Sequence, residues 1–96
     1  MKQVANVAIY YQQLKEEDLA QAVDNVIRLI QQLETLHVIK GVFLDNFNES
    51  TELMDLLNSP LSEIDIIYIN KPIINEFDNA LISQLSRTEK FQIMVL

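Results

Sequence analysis

Apolar residues along the chain follow two alternating patterns. Short continuous runs, such as the β-branched and aromatic stretch from Val4 to Tyr11, are typical of strands that are covered on both faces of a parallel sheet. Similar runs lie at "HVIKGVFLD" (residues 37–45), from Glu63 to Asn70, and at "FQIMVL" (residues 91–96). The pattern therefore predicts four strands.

Between these runs, apolar residues recur every three or four positions, which is the spacing of one helix face. The first predicted helix begins at Glu16, so the acidic string "EED" (residues 16–18) falls in a first turn that suits the positive end of the helix dipole. The second is capped by Ser50 or Thr51, and Pro72 lies near the first turn of the third. The apolar faces comprise Leu19, Val23, Val26, Ile27, Ile30 and Leu33; Leu53, Met54, Leu56 and Leu57; and Ile73, Ile74, Phe77, Leu81, Ile82 and Leu85.

Strands that alternate with helices pair in parallel through right-handed crossovers. We therefore predict one α/β domain over residues 1–96, a three-layer sandwich with a four-stranded parallel sheet in the order 2-1-3-4. Val7 to Tyr10 and Ile66 to Ile69 should lie on adjacent central strands, with helices on both faces. Tyr10 and Tyr11 alternate along the first strand, so one should face each helix layer.

Charge and composition narrow the classes of function. Fourteen acidic and seven basic residues give a net charge of −7, and the scattered Lys and Arg residues form no basic patch, so direct binding to nucleic acid or to anionic membranes is not expected. The absence of cysteine excludes disulfide and thiol chemistry. No apolar run is long enough for a signal peptide or a membrane span, so a cytoplasmic location is the default expectation.

Candidate chemistry is sought at the carboxyl ends of the strands, where sheets of this type bind ligands. Asp45, Asn70 and Lys71 fall there and form a candidate ligand site. The only glycine, Gly41, lies inside a predicted strand, so there is no glycine-rich phosphate loop and no cofactor is predicted. Asp45 is a candidate magnesium ligand without neighbouring acids; the alternative is that it is a solvated or helix-capping aspartate. His37 is expected in a loop or at a helix C-terminus.

Three strings, in order, resemble the N-terminal catalytic domain of serine recombinases, the resolvase and invertase family. The string "AIYYQQLK" matches the start of the family's first strand. The string "KGVFLDNFNESTELMDLL" keeps the family's Gly-Val-Phe-x-Asp motif and its Leu-x-x-Leu-Leu helix, and "IIYINKPIINEF" keeps the lysine, as Lys71. The resemblance covers nearly the whole chain but lacks the family's dimer helix and DNA-binding domain.

The resemblance also implies that the family's catalytic groups are missing. Its nucleophilic serine aligns with Leu14, which has no attacking atom, and isoleucine or phenylalanine cannot bind phosphate. The resemblance therefore implies a protein that neither cleaves DNA nor joins to it. At the remaining catalytic positions, the family has arginines where this chain has Gln12, Ser50, Ile74 and Phe77, and an aspartate where this chain has Ile73.

Several functions remain open at this point. The first is a non-catalytic interaction or regulatory module in which Ile73, Ile74 and Phe77 contact a partner protein or a second copy in a weak homodimer, unless they are the buried face of a helix. The second is a small-ligand binder or an enzyme of another doubly wound type that uses Asp45, Asn70 and Lys71. The third is a piece of a longer protein whose remainder binds DNA.

Overall fold

The computed structural model describes residues 4–96; residues 1–3, which the predicted domain includes, lie outside that range. Strands and helices alternate along the described chain, as predicted, with a short 3₁₀ helix at Leu61–Glu63 before the third strand. The strands are β1 (Ala5–Gln12), β2 (His37–Asp45), β3 (Ile66–Ile69) and β4 (Gln92–Val95), and the helices are α1 (Leu19–Leu33), α2 (Thr51–Leu57) and α3 (Glu76–Glu89).

The strands form one parallel sheet in the order β2-β1-β3-β4. Val7 pairs with Ile66 and Tyr10 pairs with Ile69, so the two segments predicted to be central are adjacent and in register. Val7 and Ile9 in β1 are completely buried, as expected for a strand covered on both faces. The predicted fold class and strand order are confirmed.

Alternate residues of β1 belong to the two helix layers. Ala8 and Tyr10 are part of the larger core cluster, which contains residues of α2 and α3. Tyr11 belongs to the smaller cluster with Ala22 and Val26 of α1. The prediction that the two tyrosines face opposite layers is confirmed, and the Tyr10 side is the more extensively packed.

Strand β2 contains one residue more than its partner can pair. Val7 is opposite Ile39 whereas Ala8 is opposite Gly41, so Lys40 is the extra residue of a bulge. A Cβ atom on Gly41 would lie 2.8 Å from the ring of Phe43, which explains glycine at this point. The glycine thus serves strand packing rather than phosphate binding.

The predicted starts of two helices are wrong. Helix α1 begins at Leu19, because Asp18 is its N-cap: the Asp18 carboxylate accepts from the Gln21 amide, and the Gln21 side chain accepts from the Asp18 amide. The string "EED" therefore precedes the helix. Helix α3 begins at Glu76, because Asn75 caps it by accepting from the Asp78 amide at 3.0 Å, so Pro72, Ile73 and Ile74 lie in the preceding segment.

Candidate functional site at the carboxyl ends of the strands

A cavity of about 460 Å³ opens on the α2 and α3 side of the sheet, at the carboxyl ends of β1 and β3. The segment between β2 and α2 and the segment between β3 and α3 form its walls. Its polar lining includes Tyr10, Gln12, Glu49, Lys71 and Asp78, and its apolar lining includes Leu53, Pro72, Ile73 and Ile74.

Asp45, at the end of β2, is buried beneath this region with only 3% of its surface exposed. Its Oδ1 accepts from the Glu52 amide at 2.8 Å, and its Oδ2 accepts from the Leu53 amide at 3.0 Å. The hydroxyl of Tyr10 donates to the same Oδ2 at 2.7 Å. The carboxylate therefore has three internal donors.

These contacts make Asp45 a cap of α2, which was one of its predicted roles. Ser50 occupies the N-cap position but forms no side-chain capping bond, so Asp45 supplies the missing acceptors from an earlier strand. A solvated Asp45 is excluded by its burial, and three internal donors already occupy most of the acceptor sites of its carboxylate. Burial, followed by the hydrogen bond to Asp45, raises the pKa of Tyr10 far above its ordinary value.

Asn70 also binds the fold rather than facing the cavity. Its Oδ1 accepts from the Gln12 amide and its Nδ2 donates to the Gln12 carbonyl, both at 2.9 Å. This two-bond clamp joins the ends of β1 and β3. The side chain of Gln12 donates to the Glu49 carbonyl at 2.8 Å and anchors the loop after β2.

Lys71 is the one member of the predicted ligand set that lines the cavity. Its Nζ lies 5.4 Å from the centroid of the Phe47 ring, a cation–π contact. The structure thus brings Asp45, Asn70 and Lys71 to the same end of the sheet, but the first two are engaged in internal hydrogen bonds.

Asp78, which the sequence analysis did not identify, is the second buried carboxylate of this region, with 7% of its surface exposed. It lies in the first turn of α3 and lines the cavity, and its charge contributes to the raised pKa of Tyr10 after burial and Asp45. Within residues 4–96 its carboxylate has no hydrogen-bond or ion-pair partner, whereas its backbone amide donates to the Asn75 side chain. The spacing Asn75-x-x-Asp78, an N-cap followed by an acid, was the available signal.

The predicted interaction residues divide into two groups. Ile74 and Phe77 expose 79% and 70% of their surfaces, so they are not part of a buried helix face. Ile73 is partly buried against the larger core cluster, but it lies in the segment before α3 and is not part of that helix. Ile74 lines the cavity and Phe77 directly precedes Asp78 in α3, so the exposed pair lies beside the cavity.

The turn between β1 and α1, which contains Leu14, is organised by Glu17. Its carboxylate accepts from the Tyr11 hydroxyl at 2.6 Å, from Asn25 Nδ2 at 2.7 Å and from the Leu14 amide at 3.1 Å. Burial alone would raise the pKa of Glu17, but these hydrogen bonds outweigh it and lower the pKa. Leu14 is 43% exposed on this turn. In the sequence, Glu17 was assigned to helix-end electrostatics, and its hydrogen bonds within the turn were not predicted.

His37 is the first residue of β2 rather than a loop or C-cap residue. Its Nε2 lies 3.1 Å from the Tyr68 hydroxyl, while its buried Nδ1 has no hydrogen-bond partner in the part of the chain that the structure describes. Across residues 4–96 there is no group of three or more His, Cys, Asp or Glu side chains that could hold a metal ion. Over the same range, none of the helices has the length and apolar character needed to cross a membrane.

Comparison with protein-family models, with curated proteins and with solved structures finds no match to this chain.

Proposed function

We propose that this chain is a non-catalytic, resolvase-like domain that acts in the cytoplasm through protein–protein contact, in interaction or regulation. The proposed relationship rests on the three strings that resemble serine recombinases, and the parallel 2-1-3-4 sheet is compatible with it. The proposed contact surface consists of Ile74 and Phe77, named here the α3 rim.

The exposure of the α3 rim is the observation that carries the proposal. Two large apolar side chains that remain 79% and 70% exposed beside a cavity contribute little to the core of this chain. Aromatic and aliphatic residues that flank a pocket are typical anchors of protein interfaces, because burying them on binding removes apolar surface from water.

The composition of the β1–α1 turn supports a non-catalytic role. Leu14 offers no hydroxyl at the position of the family's nucleophile, and Gln12 is a structural hydrogen-bond donor at the position of an arginine. The net charge of −7 opposes contact with a phosphate backbone. Replacing Leu14 with serine alone should therefore yield no covalent protein–DNA adduct, and an adduct formed by the native protein would contradict the proposal.

The occupant of the α3 rim is proposed to be a partner protein, with a weak homodimer as the other outcome. A homodimer could also form through the edge of β4, where Met94 and Val95 are 45% and 52% exposed. A small-ligand site built on Asp45 and Asn70 is less well supported, because both side chains are engaged in internal hydrogen bonds.

Site-specific photo-crosslinking tests the α3 rim. A photoreactive residue at Phe77 should capture one partner from an extract of the source cells, and unlabelled native protein should compete whereas the Ile74→Asp variant should not. Leu36 is a matched control, because it is 67% exposed and lies between α1 and β2, at the opposite end of the strands. Light scattering on the purified protein distinguishes self-association. Equal capture from Phe77 and Leu36, together with a strictly monomeric mass at high micromolar concentration, would rule the proposal out.

A further inference from the structure

We propose that the cavity beside the α3 rim receives an arginine or lysine side chain from the partner protein, with the Asp78 carboxylate as its counter-ion. This inference rests on the proposed function and specifies the chemistry of the partner, a basic segment with apolar residues next to the inserted cation.

The state of Asp78 is the first observation behind this inference. Its side chain is more than nine-tenths buried and lines the cavity, yet no donor among residues 4–96 reaches its carboxylate. Buried carboxylates are normally paired or hydrogen-bonded, because removing the charge from water is costly. Asp45, on the same side of the sheet, follows that rule with three donors. The Asp78 oxygens are not among the fully enclosed side-chain atoms that lack a partner, so this carboxylate can be reached from the cavity, where a cationic group of a partner can pair with it.

The charges around the cavity favour a cation. Its lining contains the acidic residues Asp78 and Glu49, with Asp45 bonded to Tyr10 beneath it, and among residues 4–96 Lys71 is the basic residue of the lining. The Lys71 ammonium group lies against the Phe47 ring, and no ion pair joins it to Asp78 within the described residues. The chain as a whole carries −7, which steers cationic partners toward it and repels anionic ones.

The shape of the cavity suits a long cationic side chain. Leu53, Pro72 and Ile73 are apolar residues of the cavity lining. The methylene groups of arginine or lysine pack against such residues while the charged end reaches an acceptor. Ile74 and Phe77 would then cover apolar residues that neighbour the inserted side chain.

A peptide titration tests the inference without knowledge of the natural partner. The probe is a blocked leucine–arginine–leucine tripeptide, and its matched control has norleucine in place of arginine. Amide resonances around Asp78 and Tyr10 should shift with the arginine peptide and not with the norleucine peptide. Asp78→Asn should weaken binding by at least about tenfold. Asp55→Asn, which removes an exposed charge on α2, should leave it within about twofold.

Two further measurements complete the test. Lys71→Met should strengthen binding, because it removes the cation that competes for the cavity, and the melting temperatures of all variants confirm that they fold. Equal affinity of native and Asp78→Asn proteins for the arginine peptide would overturn the inference, as would equal affinity for the two peptides. If butylguanidinium, which has the charged group but no peptide, binds as tightly as the arginine peptide, the proposal of a protein partner would be overturned. Any of these results would leave the crosslinking test of the α3 rim unaffected.

Discussion

Two buried aspartates on the same side of the sheet have opposite surroundings. Asp45 ends β2 and is 3% exposed; Asp78 lies in the first turn of α3 and is 7% exposed. Both lie near a helix N-terminus, where a negative charge is favourable. Asp45 accepts from two backbone amides of α2 and from the Tyr10 hydroxyl, whereas the carboxylate of Asp78 has no such donor in residues 4–96.

The difference shows that burial alone does not identify a functional carboxylate. Asp45 looked like the better site residue in the sequence because it ends a strand, but its hydrogen bonds bind it to the fold. The Asp78 carboxylate has no hydrogen bond within residues 4–96, and the residue lines a cavity. The two residues should therefore differ in what their removal changes, with stability lost at Asp45 and partner binding lost at Asp78.

Removing Asp45 should have the largest effect on stability. We expect Asp45→Ala to lower the free energy of unfolding by about 3 kcal/mol, because two helix amides and the Tyr10 hydroxyl lose their acceptor in a buried place. Asp45→Asn, which keeps one acceptor oxygen, should fall between this variant and the native protein. Urea denaturation followed by circular dichroism measures both. A loss below about 1 kcal/mol for Asp45→Ala would contradict the structural role.

Removing only the Tyr10 hydroxyl should have a smaller effect. We expect Tyr10→Phe to lower the free energy of unfolding by about 1 kcal/mol, because one of the three bonds to Asp45 is lost while the ring stays packed. The effects of Tyr10→Phe and Asp45→Ala should not be additive in the double variant, since they share one hydrogen bond. Additive effects, measured by the same urea denaturation, would show that the bond contributes nothing.

Glu17 provides a third carboxylate, half-buried and well supplied with donors. Because its pKa is lowered in the folded protein, its contribution to stability is present above the ordinary value of 4.5 and is lost as pH falls through the folded pKa. Comparing the pH dependence of unfolding in native and Glu17→Gln proteins should show this loss in the native protein only. If the free energy of unfolding fell in parallel for the two proteins below pH 4.5, the stabilising role of the Glu17 hydrogen bonds would be contradicted.

Neutralising Asp78 should have the smallest effect on stability. We expect Asp78→Asn to change the free energy of unfolding by less than about 0.5 kcal/mol, because the favourable interaction with the α3 dipole and the cost of burying an unpaired charge oppose each other. Thermal unfolding measures the change, with Asp55→Asn as the control. A loss as large as that of Asp45→Ala would show that Asp78 is a structural residue and remove the contrast.

The sequence predicted the sheet well because its signals are local. Continuous apolar runs and helical spacing give the element types, and short connections with right-handed crossovers leave few strand orders. The start of α3 was misplaced because Ile73 and Ile74 continue the helical spacing backwards, while the side chain of Asn75 fixes the true start. The apolar spacing alone does not distinguish the two starts; the string Asn75-x-x-Asp78 was the available signal.

The candidate site could be predicted only in part. Asp45 was recognised as a possible cap. Its hydrogen bond to Tyr10 joins residues that are 35 positions apart in the chain, and no local sequence pattern predicts such a bond. Asn70 was placed at the correct edge of the sheet, yet its clamp on the Gln12 backbone depends on three-dimensional proximity. The exposure of Ile74 and Phe77 is likewise a property of the folded surface, since their composition fits a core equally well.

The position of β1 between β2 and β3 has a consequence for the rate of folding. Strand β1 cannot complete its pairing until it meets β3. At this junction the amide of Asn6 donates to the carboxylate of Asp65, which lies 59 positions later in the chain. Closing so long a loop costs chain entropy before any strand contact compensates for it. The joining of β1 to β3 should therefore limit the rate at which this protein folds, and substitutions at Val7 or Ile66 should slow folding more than substitutions in the exposed α3 rim.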